Sequence, residues 1–382
     1  MRYRLTCLTP LLVGDGRKLA PIDYMVWKDQ VNVLDQWRIF RLLAKGPRLD
    51  SYLTQLKNAE KLDFATWGGF AQNFAGRRIP FENAAYSAYW NRAAGESLHI
   101  PTFACGASGP YLPGSAIKGA LRTGMVFSQW RDGMLQDVLA RVKTERMPRR
   151  PAESVEEQAL GAGGSNKMRF VSAGDSATIA AGDFKIYLLR TSTLQPRGGN
   201  FTLGWKQSPR GAVDGARPEE STPTFAEMAS PGTVFSGVWD EKTFFLQPEV
   251  RRSMRWPESF GRARIFEAVN IYAAGVLALQ RQYASQAGMG LLDRSLDELE
   301  QRLAAAREKG TCLISMGWGG GLLAKSAWLD TSNTDYRQIL QQFVIYNRAL
   351  STNLPFPKTR RIVFLNNRPA TLPGWAELSI EE

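Results

Sequence analysis

The sequence has few residues that could form a disulfide, a zinc site or an acid–base pair. Its 382 residues include one histidine, His99, and three widely separated cysteines, Cys7, Cys105 and Cys312. A disulfide framework or a zinc site normally shows closely spaced cysteines, often with additional histidines. A metal-free ribonuclease needs a general base and a general acid that titrate near neutrality, and one histidine cannot supply both. We expect His99 to be a satisfied loop or surface imidazole and the cysteines to be buried.

Long apolar runs are also absent. No stretch approaches the ~20 residues that a membrane-spanning helix requires. The first residues, MRYRLTCLTPLLVG, are followed directly by the polar GDGRK and are too short for a secretory signal peptide. We therefore expect a cytoplasmic protein that has no membrane partner, no metal and no cofactor.

The composition favours a folded protein with a polyanionic partner. Hydrophobic residues make up 44% of the chain, which is enough to fill the core of one large domain or two ordinary ones. Lysine and arginine number 48 against 36 acidic residues, so the formal net charge is +12 at pH 7. This excess of positive charge attracts polyanions.

The most informative stretch lies at residues 111–123, where the sequence is YLPGSAIKGALRT. Pro113 and Gly114 end the preceding segment, and Ser115 can cap the helix that follows. The first turn of a helix has free N–H groups and the positive end of the helix dipole, which together attract anions. We therefore predict an anion-binding helix N-terminus at Gly114 and Ser115.

Two cations follow on the same helix. Lys118 and Arg122 are four residues apart, which places them on one helix face, and Gly119 lets another backbone come close. A cationic stripe beside a helix N-terminus would strengthen the attraction for phosphate. The alternative is an ordinary capped surface helix with two solvated basic side chains.

A glycine loop near the N-terminus is a second candidate phosphate site. The first residues, 2–9, alternate in polarity as a strand with one basic face does. The loop after it contains Gly14 and Gly16, which free backbone N–H groups beside Arg17 and Lys18. A plain glycine turn is the alternative.

A third candidate is the stretch MGWGGGLLAKS at 316–326, which follows a short predicted strand. Its backbone N–H groups can hold a phosphate and Lys325 can add charge, although a structural turn is the alternative. It matches neither the P-loop motif nor G-x-G-x-x-G, so nucleotide hydrolysis is not expected. The glycines of this candidate site are Gly317, Gly319, Gly320 and Gly321.

Five stretches, which follow one another along the chain in the order that the family shows, resemble the RAMP superfamily of CRISPR-associated proteins. PGSAIKGALRT in the 111–123 stretch resembles that family's helix motif, PGSSLKGALR. The other four are LTPLLVGDGRKLAPIDY, MRFVSAGDS, MGWGGGLLAKS and PKTRRIVFLNNRPATLPGWAEL. The resemblance is strongest to the type III-A (Csm-complex) RAMP subunit that caps the effector at the 3′ end of the CRISPR RNA (crRNA).

The resemblance implies an α+β fold with a ferredoxin-like (RRM-like) core that is split by insertions and followed by additional C-terminal helices. Residues 41–100 show short helical patterns with little strand character. The expected parts are the core at 1–40 and 101–240, a helical insertion at 41–100, a thumb-like hairpin insertion at 194–229, and a C-terminal α/β part at 241–382 that contains the glycine-rich loop.

Two regions combine basic and aromatic residues. In 194–229, Phe201, Trp205 and Phe225 are interleaved with basic residues that could track phosphates while an aromatic stacks on a base. A disordered surface loop is the alternative there. In 244–264, several arginines surround Trp256 and Phe260, a pattern that suits either single-stranded RNA or a protein interface.

The resemblance also implies a non-catalytic, crRNA-binding subunit of a type III-A ribonucleoprotein. Such a subunit ends the backbone filament at the 3′ end of the guide and contributes to crRNA maturation and antiviral defence. The implied partners are single-stranded crRNA, other effector subunits, chiefly the backbone RAMP subunit, and a separate trimming nuclease. Contacts to phosphate position a strand without reading its bases, so we expect binding that is independent of sequence.

The alternative function is a metal-dependent RAMP endoribonuclease that uses Asp23 or Asp15. In filament-forming relatives an aspartate of the corresponding loop cuts target RNA with a divalent metal, and Asp23 is the nearest position here. A metal nuclease normally needs several converging carboxylates, and no D-x-D or D-x-x-E cluster surrounds Asp23. Asp23 could instead close a turn, or pair with Arg17 or Lys18.

The binding prediction depends on one spatial arrangement. Residues 14–18, 114–122 and 317–325 are distant in sequence and must meet in one groove for their amides and cations to hold a single strand.

Overall fold

The chain folds into α-helices and antiparallel β-sheets, as seen in a computed structural model that describes residues 1–58, 61–62, 73–131, 133–144, 150–207, 213–350 and 355–381. The strands in these ranges are β1 (Arg2–Cys7), β2 (Lys18–Leu19), β3 (Tyr24–Trp27), β4 (Gln30–Leu34), β5 (Ala75–Pro80), β6 (Ile100–Pro101), β7 (Cys105–Gly106), β8 (Gly109–Pro110), β9 (Val171–Ser176), β10 (Phe184–Arg197), β11 (Asn200–Trp205), β12 (Thr224–Ala229), β13 (Val234–Glu241), β14 (Cys312–Ser315), β15 (Thr359–Leu365), β16 (Arg368–Thr371) and β17 (Trp375–Glu381). The α-helices are α1 (Gln36–Leu43), α2 (Leu49–Asn58), α3 (Tyr86–Arg92), α4 (Gly114–Ser128), α5 (Met134–Thr144), α6 (Glu153–Leu160), α7 (Pro248–Met254), α8 (Arg262–Ala287), α9 (Gly290–Lys309), α10 (Thr334–Gln341) and α11 (Val344–Leu350). None of these helices combines the length and the apolar character that a membrane crossing demands.

The first strand lies in the middle of a five-stranded antiparallel sheet. The strand order is β14-β17-β1-β13-β9, and Leu5 of β1 lies opposite Phe235 on one side and Leu378 on the other. The odd-numbered residues of β1 are buried, whereas Arg2 and Arg4 are exposed. This alternation confirms the predicted strand with one basic face.

Two helices, α4 and α8, pack against this sheet and against each other. Helix α4 buries Ile117, Leu121 and Met125, whose four-residue spacing places them on one face. A Cβ atom at Gly124 would lie 2.8 Å from the Cα atom of Val269, so only glycine permits this close approach of the two helices. Among the elements of this sheet and its two helices, the chain order is β1, α4, β9, β13, α8 and β14, with β17 inserted between β14 and β1.

A second antiparallel sheet is built around the long strand β10. The first half of β10 pairs with β12 and the second half with β11, while β15 lies on its other side and is followed by β16. The β10–β11 hairpin turns at Gly198 and Gly199, both of which have positive φ. At the base of this hairpin Leu194 and Trp205 are fully buried.

The region 41–100 contains more strand than the sequence predicts. Helices α2 and α3 lie in it, but β5 pairs with β4 and extends the β3–β4 hairpin into a three-stranded sheet. The prediction of little strand character is therefore wrong at 75–80. The strand sequence AGRRIP buries only Ile79, so it lacks the apolar alternation that would predict a strand. The segment forms a strand because its backbone pairs with β4.

The cysteines and the histidine follow the predictions in part. Cys7 and Cys312 are buried as expected, whereas Cys105 is only half-buried. His99 is also half-buried, and its Nδ1 atom finds no hydrogen-bond partner among the described residues, so it is not the satisfied imidazole that we expected. Among all the described residues, no three His, Cys, Asp or Glu side chains are grouped so that they could hold a metal ion.

Candidate nucleic-acid interface

The loop after β1 is held between two other segments by backbone contacts. The N–H of Trp318 donates to the carbonyl oxygen of Leu12 at 2.7 Å, and the N–H of Ala104 donates to that of Val13 at 2.9 Å. These bonds place the glycine loop that follows β14 on one side of residues 12–18 and the strand β6 region on the other. The loop conformation is therefore set by distant backbone.

Together with α4, these segments line a groove of about 560 Å³. Its walls come from residues 12–14, 16–18, 101–102, 116, 119–120, 122–123, 315–318 and 324–325. The predicted site residues that it contains are Gly14, Gly16, Arg17, Lys18, Arg122, Gly317 and Lys325. The three stretches that had to meet therefore do line one groove.

The groove is cationic. Among the described residues that line it, every ionisable side chain is a lysine or an arginine, namely Arg17, Lys18, Arg122 and Lys325. All four are exposed. Arg17 lies 3.4 Å from an oxygen of Asp15 and Arg122 lies 3.7 Å from Glu156, and such exposed pairs are weak. Because these pairs are weak and open to solvent, the arginines remain available to a phosphate.

The first N–H group of α4 is engaged by another part of the protein. Helix α4 begins at Gly114, and its N–H donates to Oδ1 of Asp175 at 2.9 Å. A Cβ atom at Gly114 would lie 2.2 Å from the carbonyl oxygen of Ala173, so the first turn is pressed against β9. The prediction that Ser115 caps the helix is wrong, because Pro113 is the N-cap residue. The carboxylate of Asp175 lies at the first N–H group of the helix, and anion binding at Gly114 and Ser115 stays a prediction.

Lys118 and Gly119 differ from their predicted roles. Lys118 is half-buried, lies outside the lining of the groove, and has its pKa lowered by burial and by the nearby Lys242. Gly119 does line the groove, but no described atom beyond its chain neighbours and its own helix backbone lies within 4 Å of the place where its Cβ would be. Gly119 thus faces open space and no backbone approaches it.

The glycine-rich loop is divided between two spaces. Gly317 belongs to the groove, whereas Gly319, Gly320 and Gly321 line a separate cavity of about 290 Å³, which we call the inner cavity. The four glycines were predicted to form one phosphate-binding unit. Gly317 and Gly319 both have positive φ, and the chain turns between these two residues. The three later glycines are therefore not part of the groove.

Trp318 and Thr102 also line the groove, although neither was predicted to be a site residue. The guanidinium of Arg361 lies 4.4 Å from the centre of the Trp318 ring, in cation–π contact. The sequence signals were an aromatic residue within the glycine loop and the KTRR run, but nothing in their spacing shows that they meet.

The aromatic residues of two predicted RNA-binding regions belong to the core. Trp205 and Phe225 are at most 1% exposed, and Trp256 and Phe260 are also buried. They pack against other apolar side chains and are not accessible to a base. These four residues are therefore removed from the candidate stacking surfaces, whereas Phe201 is half-buried.

Asp23 stabilises a turn. Its Oδ2 accepts from the backbone N–H of Ala20 at 2.7 Å, and its Oδ1 accepts from Nε2 of Gln36 at 3.0 Å. Both carboxylate oxygens are thus engaged, as expected for the turn-closing alternative. Asp15 accepts from the N–H of Arg17 at 3.0 Å within the exposed loop.

Comparison with known proteins identifies the family. The model of the RAMP superfamily matches residues 4–323. The chain is similar to a protein of Methanocaldococcus jannaschii named CRISPR system Cms protein Csm5, with 19% identity over 416 aligned positions that cover 100% of this chain and 89% of the relative.

Two solved structures have a similar fold. A chain of the cryo-EM structure of a Csm-crRNA-target RNA ternary complex in a type III-A CRISPR-Cas system gives a TM-score of 0.68 at 18% identity, covering 99% of this chain and 100% of that chain. The crystal structure of T. onnurineus Csm5 gives a TM-score of 0.61 at 15% identity, covering 98% and 99%. At such low identity this similarity establishes the fold alone. The family match over most of the chain confirms the resemblance found in the sequence, and the protein belongs to the RAMP superfamily.

Proposed function

We propose that the chain is a non-catalytic, crRNA-binding subunit of a type III-A CRISPR (Csm) effector complex. The observation that supports this best is the groove, where cations and glycines from three distant segments converge and every described ionisable group is positive. Phosphates of a single strand are the natural ligand of such a groove. The similarity to Csm5 of M. jannaschii and to a chain of a Csm-crRNA-target RNA complex agrees with this assignment.

We infer that the core is ferredoxin-like. The order β1, α4, β9, β13, α8, β14 is the β-α-β-β-α-β pattern of that fold, and the C-terminal strand β17 enters the sheet between β14 and β1. The groove then lies where the loop after β1, the helix α4 and the loop after β14 meet.

The position in the complex follows from the resemblance to the type III-A cap subunit. In this proposal the protein acts in the cytoplasm, contacts the last backbone RAMP subunit and ends the filament at the 3′ end of the crRNA. It shelters the guide from a separate trimming nuclease, or presents the guide to it, and so contributes to maturation and antiviral defence. Phosphate contacts make this binding independent of base sequence.

A non-catalytic role is supported by the two carboxylates of the alternative mechanism. Asp23 is engaged in a turn through both oxygens, and Oδ1 of Asp15 accepts from the backbone N–H of Arg17 within its own loop. Neither lies in a group of three potential metal ligands among the described residues. A metal nuclease would need such a group.

Incubation of the purified protein with labelled single-stranded RNA, in Mg²⁺, Mn²⁺ or EDTA, tests the proposal. We expect the RNA to be retained and to remain intact in all three conditions. Metal-dependent cleavage that disappears in Asp23→Ala would establish the nuclease instead, and no detectable retention would indicate a pure assembly protein.

A further inference from the structure

The inner cavity lies beside the groove and extends into the core. Ser315 lines both spaces, so they are neighbours. Other walls of the inner cavity are the buried side chains of Leu323, Leu372 and Trp375. Its polar lining consists mainly of the three glycines of the loop, Gln280, Arg360 and Arg361.

Arg360 is a buried cation with only neutral partners. Its side chain is 8% exposed, its Nε donates to Oε1 of Gln280, and its Nη1 donates to the carbonyl oxygens of Pro357 at 2.6 Å and Thr359 at 3.0 Å. The guanidinium also lies 4.3 Å from the centre of the Tyr283 ring. No carboxylate of the described residues forms an ion pair with it, and Nη2 makes no hydrogen bond to them.

Such a charge lacks the compensation that buried ions normally have. A buried charge is costly unless it is paired, which is why buried cations usually contact a carboxylate or a bound anion. Burial lowers the pKa of Arg360 to about 10, so the group is still protonated at neutral pH. The cavity therefore contains a positive charge for which the described part of the chain provides no counter-charge.

The glycine loop adds backbone donors to the same cavity. The N–H groups of Gly319, Gly320 and Gly321 donate to no acceptor in the described part of the chain, and Gly319 and Gly321 have positive φ. Consecutive N–H groups in a loop of alternating φ form a concave site for an anion. A Cβ atom at Gly320 would lie 2.7 Å from the Cβ atom of Ala324, so a larger residue at this position would clash.

We propose that the inner cavity is a binding site for a phosphate monoester, held by Arg360, Arg361 and the amides of the glycine loop. A monoester fits better than a phosphodiester because most of the wall residues are buried or half-buried, so a strand could end in the cavity but could not pass through it. The first source of this monoester is the terminal phosphate of an RNA bound in the adjoining groove. This assignment rests on the proposed function. A free mononucleotide or inorganic phosphate is the second source.

The test compares short RNAs of one sequence that have a 3′-phosphate, a 5′-phosphate or hydroxyl ends. For the wild-type protein we expect one phosphorylated end to bind about tenfold more tightly than the hydroxyl ends, as a charge-assisted contact allows. In Arg360→Met this preference should vanish, while hydroxyl-ended RNA binds within about twofold of wild type. Lys325→Gln, in the groove, should weaken all three RNAs to the same degree.

A second measurement uses inorganic phosphate alone. Phosphate should raise the melting temperature of the wild-type protein above its value in chloride at equal ionic strength, and this gain should be lost in Arg360→Met. If Arg360→Met does not fold, Arg361→Gln replaces it in both measurements, because Arg361 is an exposed residue that lines the same cavity.

The outcomes separate this site from the proposed function. Stabilisation by phosphate without any RNA binding would support the site, assign it to a free phosphate compound, and overturn the proposed RNA-binding function. Equal binding of all three RNAs together with no effect of phosphate would overturn the site and leave RNA binding in the groove intact.

Discussion

The backbone N–H of Trp318 donates a 2.7 Å hydrogen bond to the carbonyl oxygen of Leu12, although the two residues lie near opposite ends of the sequence. At the neighbouring Gly317, φ is +80° and a Cβ atom would lie 2.3 Å from the same oxygen. The two glycine loops are thus joined at backbone level, at a distance that only glycine allows. This contact holds two walls of the groove together.

Gly317→Ala should therefore destabilise the protein. The added methyl group must displace the Leu12 carbonyl and hold a strained positive φ, so we expect a loss of about 1–3 kcal/mol in the free energy of unfolding. Urea denaturation followed by tryptophan fluorescence measures this loss.

Gly119→Ala is the matched control. Gly119 lies within α4, and its missing Cβ would meet no described atom within 4 Å. Alanine is the better helix former, so this variant should gain about 0.5–1 kcal/mol. Equal losses from both substitutions would show that the Leu12 contact is not the cause.

Asp175→Ala should weaken the start of α4. The carboxylate of Asp175 is the acceptor for the N–H of Gly114, and loss of a comparable cap costs about 1 kcal/mol. Asp175→Asn keeps an acceptor oxygen and should recover most of this loss in the same denaturation measurement. If both variants are as stable as wild type, the helix does not depend on this contact.

Asp23→Ala should lower the stability of the fold, and it should not change metal binding because we expect none. It removes the acceptor for the Ala20 N–H and for Gln36, and we expect a cost of about 1–2 kcal/mol. Asp15→Ala, in the exposed loop, should change stability by less than about 0.5 kcal/mol. Calorimetric titration with Mn²⁺ should give no binding for wild type or for either variant, and binding that is lost in Asp23→Ala would contradict this account.

Arg77 and Glu227 connect the three-stranded sheet to β12. Glu227 is fully buried, and Nη1 of Arg77 donates to its Oε2 at 3.1 Å. Arg77→Met leaves the carboxylate buried without its partner, so we expect a loss of about 3–5 kcal/mol.

The double variant Arg77→Met/Glu227→Gln removes the charge of both groups and serves as the control for the pair. It should be clearly more stable than Arg77→Met alone in thermal denaturation. If the two variants have the same melting temperature, the unpaired carboxylate is not the source of the lost stability.

The local elements and the segments that line the groove could be predicted from the sequence, because both depend on short patterns. The alternation of β1, the helix after Pro113 and the glycine loops are encoded within a few residues. Their convergence in one groove was a requirement of the binding prediction, and it is seen in the lining of the groove.

Contacts between distant residues could not be predicted in the same way. Nothing near Gly114 shows that Asp175 will occupy its N–H, and nothing in the run 317–321 shows that its glycines will face two different spaces. Aromatic residues next to arginines were equally ambiguous: Trp205 and Trp256 are buried, whereas Trp318 lines the groove. Burial depends on the whole fold, and composition does not determine it.

The most direct test of the central claim is the salt dependence of RNA affinity for the variant Arg122→Gln/Lys325→Gln. Each phosphate contact to a single strand contributes about 0.7 to the slope of log affinity against log salt, so the double variant should bind more weakly and its slope should fall by about 1.4. The control, Arg294→Gln/Arg302→Gln on α9, changes the net charge equally outside the groove and should keep the wild-type slope. An unchanged slope and affinity in Arg122→Gln/Lys325→Gln would show that the groove does not hold the RNA strand.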